Sequence, residues 1–160
     1  RDCAPQARVI LGDARISLAR QPDGLHDAMV FEAFNSDAIP VHLLTREAFD
    51  LYLRKLSPRG VLAFHISSRY FDLRPVLSRL ARDAQLVAYV GVSTNVSIAE
   101  QIQGKEGSVW AIMARKPGDI EALTHDKRWI AADSNVQGAA WTDDYADVLG
   151  SLIIAHDVIF

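Results

Sequence analysis

The sequence predicts an α/β domain whose sheet is mostly parallel, with an antiparallel hairpin at one edge. Three observations carry this. Short apolar runs alternate with stretches whose apolar residues recur at helical spacing, the pattern of repeated βα units. The second run is continuous, as in a strand buried on both faces. The last two runs are joined by a polar, glycine-marked loop without a helical stripe, which fits a hairpin and not a crossover.

The elements follow in order. Arg8-Val9-Ile10-Leu11 is a short strand closed by Gly12-Asp13. Ala14 to Arg20 reads as a short helix, stopped by Pro22-Asp23-Gly24. Asp27 to Phe34 is the second strand and Asn35 to Pro40 a loop. Thr45 is the N-cap of the next helix, with Glu47 in its first turn favourable to the helix dipole. Ala48, Phe49, Tyr52, Leu53 and Leu56 form its stripe, and Pro58-Arg59-Gly60 ends it. Val61 to Ile66 is the third strand. Asp72 caps a helix whose stripe is Leu73, Val76, Leu77, Leu80, Ala81 and Ala84. Its Pro75 lies in the first turn, where a missing N–H is harmless. Leu86 to Val92 and Val109 to Ala114 are the fourth and fifth strands, with Ser93 to Gly107 a long loop between them. Asp119 caps a short helix from Ile120 to Thr124, and a helical stretch follows Tyr145 to about Ile154.

Composition bounds the function. A chain of 160 residues sets a prior of one domain. With 49% hydrophobic and 23% charged residues, it is not a disordered chain. Lys plus Arg is 17 against 20 for Asp plus Glu, a balance that argues against a nucleic-acid partner. The apolar runs are too short to span a bilayer. The single cysteine, Cys3, excludes an internal disulfide and fits a reducing, cytoplasmic setting. The start, Arg1-Asp2-Cys3-Ala4-Pro5, has no apolar signal region and no initiator Met. Residues 1–160 are therefore read as one partial domain cut from a longer protein. The five histidines show no i, i+4 pair, so no metal site is expected.

Several residues are candidates for chemistry. Gly12-Asp13-Ala14-Arg15 puts a carboxylate at the carboxyl end of a strand, where open α/β sheets bind ligands. Asp13 either accepts a hydrogen bond from an exocyclic amine or caps the helix beginning at Ala14. Glu32 ends an apolar run, as a base for an attacking amine or as a partner in a buried ion pair. Asn35 and Asp37 follow in a loop, where such residues hold a cation or form a local turn. His65 lies near the end of the third strand, where a lone histidine is more often a satisfied core residue. Ser67 and Ser68 lie outside any Gly-x-Ser-x-Gly elbow, which leaves a hydrolase without a motif. Trp141-Thr142-Asp143-Asp144-Tyr145 either lines an amine pocket or opens a helix capped by Thr142. The nine glycines never form Gly-x-Gly, so no adenosyl or dinucleotide loop is present.

Three segments carry a resemblance: Val9 to Arg15, Glu32-Ala33-Phe34-Asn35-Ser36-Asp37-Ala38-Ile39-Pro40 through His42-Leu43-Leu44-Thr45, and Gly60 to Ser67. Together with Trp141 to Tyr145, they resemble the spermidine synthase-like branch of the class I S-adenosylmethionine-dependent methyltransferase superfamily. The resemblance implies a Rossmann-like methyltransferase sheet that begins here at its third strand. It implies that Asp13, with Ala14 beside it, contacts the adenine of S-adenosylmethionine or its decarboxylated form. Glu32 falls at the first position of the family's Asp-x-x-Asp-Pro motif, that of the base, and Asn35 at the second; Ser36 replaces the Pro. Asn35 and Asp37 are then substrate contacts. The implied reaction is transfer of an aminopropyl or methyl group to a small amine or similar acceptor, by a longer parent of which this fragment alone is inactive. The resemblance further implies a membrane-embedded region in the parent. The open strand edges of a truncated sheet predict a homo-oligomer. The alternative is a catalytically silent sensor or interaction module attached to a membrane protein, which the departures at Glu32 and Asn35 favour.

Overall fold

A computed structural model describes residues 7–34 and 39–153. Asn35 and Asp37 lie outside the described residues, as does Cys3. Strands β1 (His26–Phe31), β2 (Leu56–His65), β3 (Val87–Ser93), β4 (Ser108–Ala114) and β5 (Trp129–Ala131) form one sheet in the order β1-β2-β4-β3-β5. The helices are α1 (Ala14–Ala19), α2 (Arg46–Lys55), α3 (Arg74–Asp83), α4 (Ile98–Ile102) and α5 (Glu121–Thr124). Parallel β1 and β2 are joined by a crossover through α2, and β3 follows in the same direction through α3. The fold class is the α/β, Rossmann-like one read from the sequence.

The sheet differs from expectation in its pairing. β4 inserts between β2 and β3, antiparallel to both, and β5 adds antiparallel to β3. Three strands share one direction, yet β1–β2 is the one parallel pairing among the described strands. The α3 crossover skips a strand position, and the hairpin return of β4 fills it. The hairpin is thus interior, and β5, too short to stand out as a run, forms the edge.

Other elements move for identifiable reasons. Val9 to Leu11 is not a strand: Val9 is 85% and Leu11 90% exposed, and no strand pairs with them among the described residues. So short a run has no extended structure of its own without a ladder. Pro58-Arg59-Gly60 does not end α2 but lies in the start of β2, where the register against β1 shifts between His26 and Ala28. A proline and a glycine suit such an irregularity, since one lacks a donor and the other a side chain. Leu73 and not Asp72 is the N-cap of α3, although Asp72 Oδ1 accepts the Arg74 N–H at 3.0 Å. Asp119 caps nothing; its buried carboxylate pairs with Arg59 Nε at 3.1 Å, and α5 begins at Glu121. The Ser93–Gly107 loop contains α4, closed by a capping box between Ser97 and Glu100. After Tyr145 there is a 3-10 turn, Leu149–Ser151, in place of a helix.

The core lies on one face of the sheet. The register row Met29–Leu62–Met113–Ala88 is buried beneath α2 and α3. Phe64 stacks between Phe31 (centroids 4.5 Å apart) and Phe49 (5.4 Å), and α3 adds Val76, Leu77 and Leu80. The Thr45 cap stands as read, its hydroxyl accepting the Ala48 N–H. The opposite row, Val30–Ala63–Ile112–Tyr89, is less covered, with Val30 61% exposed. No helix among the described residues is long and apolar enough to cross a membrane.

Candidate functional site

Parallel pairing of β1 with β2 brings their carboxyl ends to one edge of the sheet, the end at which α/β folds bind ligands. Phe31 pairs with Phe64, so the next residues, Glu32 and His65, become neighbours. Glu32 Oε2 lies 3.0 Å from His65 Nδ1. Its side chain is 55% exposed while that of His65 is 17% exposed, so Glu32 is not the member of a buried ion pair. His65 Nε2 is 2.7 Å from Ser67 Oγ, and that oxygen accepts the Val109 N–H at 2.8 Å. The imidazole stacks on Trp110 with ring centroids 4.6 Å apart and the two planes nearly parallel. His65 is thus a satisfied, mostly buried histidine, as read from the sequence, with both ring nitrogens facing polar partners at the carboxyl end of the strands.

Asp13 stands elsewhere. Its Oδ1 accepts the Ile16 N–H at 3.0 Å, the capping role, and this bond holds its carboxyl below the usual range. Oδ2 faces His42 Nε2 at 3.7 Å. Both residues line a cleft of about 720 Å³ between α1 and α2, with Arg15, Glu47, Asp50 and Asp143. Arg15 holds Asp143 in a bidentate pair, Nη1–Oδ1 2.7 Å and Nη2–Oδ2 3.0 Å. Thr45 donates to the same carboxylate, and the Asp143 N–H donates to Glu47. Arg15 is the main reason that the Asp143 carboxyl lies below its usual value. Trp141 is fully buried and Thr142 opens no helix, its backbone pairing with Tyr145 across a turn. The helix-opening reading of that segment is thereby replaced: Asp143 ties the tail to α1 and to the start of α2. Asp13 and exposed Ala14 begin α1 after an irregular segment and not after a strand. Glu32 does not line their cleft.

No family model matches the chain, and no curated protein is significantly similar to it. A solved structure, of a probable spermidine synthase from Corynebacterium glutamicum ATCC 13032, matches with a TM-score of 0.57 at 16% identity. The fold resembles that of a spermidine synthase. The match covers 90% of this chain and 57% of the solved one, so the chain spans little more than half the length of that structure. The three residues that the sequence left apart are Glu32, His65 and Ser67. The signal was present in the two-residue spacing of His65 and Ser67, but their link to Glu32 depends on β1–β2 register.

Proposed function

We propose that this chain is part of a spermidine synthase-like transferase, moving an aminopropyl or methyl group from an S-adenosylmethionine-type donor to a small amine or similar acceptor. The observation that carries the reading is Glu32: a half-exposed carboxylate at the carboxyl end of β1, in a fold similar to that of a solved probable spermidine synthase. The Asp13 carboxylate fits an exocyclic amine of the donor through Oδ2, which faces His42 Nε2 at 3.7 Å, beyond hydrogen-bond distance, while Oδ1 caps α1. When bound, the donor supplies a carbon activated by its sulfonium. Glu32 attracts the cationic acceptor and takes a proton from the attacking amine, as a general base within hydrogen-bond reach does. Asn35 and Asp37 follow as the proposed acceptor contacts. In this reading the chain alone lacks much of the donor site, and transfer belongs to a longer, cytoplasmic-facing protein that carries it.

The test is Glu32→Gln in the full-length protein. Transfer to a diamine acceptor should fall about 10²–10⁴-fold with donor affinity retained. Unchanged turnover would remove Glu32 from the mechanism. Absence of transfer and of donor binding in the unsubstituted protein would instead favour the silent-module reading.

A further inference from the structure

We propose that Ser67 is a reactive serine, activated by His65 and positioned through Glu32, and that it gives the chain an esterase-type reactivity toward small activated esters. This goes beyond the transferase reading and does not rest on it. A serine nucleophile is recognised by the geometry of its base and of the group that orients the base, whatever the local motif. Both contacts are present. Ser67 Oγ is 2.7 Å from His65 Nε2, and His65 Nδ1 is 3.0 Å from Glu32 Oε2.

The direction of each hydrogen bond follows from the partners. An ionised carboxylate only accepts, so the neutral imidazole carries its proton on Nδ1, facing Glu32. Nε2 then has a lone pair for the Ser67 hydroxyl proton. Val109 N–H occupies one Ser67 lone pair at 2.8 Å, which fixes the hydroxyl and leaves the second lone pair for attack. Stacking on Trp110 holds the ring plane. Ser68 is the internal contrast: its Oγ accepts the Tyr70 and Phe71 N–H groups and has no imidazole partner among the described residues.

In the reaction, the Ser67 Oγ–acyl carbon bond forms as the hydroxyl proton passes to His65 Nε2. The ester C–O bond breaks, and the departing alkoxide takes that proton. Water then attacks the acyl-serine by the same route and releases the acid. Esters with a good leaving group are the class that this relay handles, because their acyl carbon is more electrophilic and the departing oxygen needs little help from a proton.

The test is labelling of the chain with a fluorophosphonate probe, in which the Oγ–P bond forms and fluoride leaves, followed by peptide mass spectrometry. The expected result is one adduct, on Ser67, with the rate reduced about 10²-fold or more in His65→Asn. Thermal melts of the variants separate loss of reactivity from loss of fold. Glu32 acts through His65, so proton NMR supplies its readout: the hydrogen-bonded Nδ1–H resonance of His65 should be lost in Glu32→Gln, and the labelling slowed. No adduct on the folded chain, an adduct on Ser68, or a Ser67 adduct at an unchanged rate in folded His65→Asn overturns the proposal. Retention of the Nδ1–H resonance in Glu32→Gln overturns the part assigned to Glu32. None of these readouts involves donor or amine, so failure here leaves the transferase reading to its own assay.

Discussion

At the scale of single residues, the charged side chains of the Arg15 cleft work across the whole sequence. Arg15 and Asp143 stand 128 positions apart and meet in a bidentate pair that Thr45 and Glu47 complete. Arg15 depresses the folded-state pKa of Asp143. The stabilisation is therefore complete above the ordinary carboxylate value of about 4 and is lost as pH falls through the lower folded value. Asp143→Asn should cost about 1 kcal/mol at pH 7, since the pair is partly exposed. The cost should shrink once acid protonates Asp143 in the unsubstituted chain as well. Urea midpoints at pH 7 and near pH 3 check this; an equal loss at both would show that the ion pair is not the source.

At the scale of elements, β1 and β2 set the site because their register sets which side chains become neighbours. The irregularity at the start of β2 is held by Gly60, where an added Cβ would come 2.8 Å from the His26 carbonyl oxygen and closer still to Leu56. Backbone on the partner strand cannot yield as a side chain can. Gly60→Ala should therefore cost about 1–3 kcal/mol, as overpacking does. A denaturant melt measures it, and an unchanged midpoint would mean that the strand pair relaxes freely. The core beneath is less tolerant. Phe64 is fully buried between two stacked rings, so Phe64→Ala should cost about 3–5 kcal/mol in the same experiment.

At the scale of the molecule, two features leave apolar surface and backbone open. Among the described residues β1 is an edge strand with one neighbour, β2, and the sheet face carrying Val30 is only partly covered. Val9, Ile10 and Leu11 add exposed apolar side chains. Unpaired N–H and C=O groups next to such surface recruit other chains. The 160-residue chain is expected to be a dimer or larger in solution. Light scattering at micromolar concentration checks this; a clean 17.7 kDa monomer would show that the edge and face stay unpartnered.

The features legible in the sequence were those set by neighbours along the chain. Thr45 caps α2 because its hydroxyl reaches the N–H three residues on. The stripes Ala48–Tyr52 and Val76–Ala81 fall on the buried faces of α2 and α3 because helical period alone decides which side chains share a face. Asp13 as a cap and Glu32 as a polar residue ending a strand were readable for the same reason. Tertiary structure decided what depends on partners. Insertion of β4 between β2 and β3 follows from a space that a crossover leaves, which no local period encodes. Val9 to Leu11 stays out of the sheet because a strand exists only with a partner. The meeting of Glu32 with His65, 33 positions apart, is fixed by the register of two strands. A shift of one residue in that register would move every side chain to the opposite face.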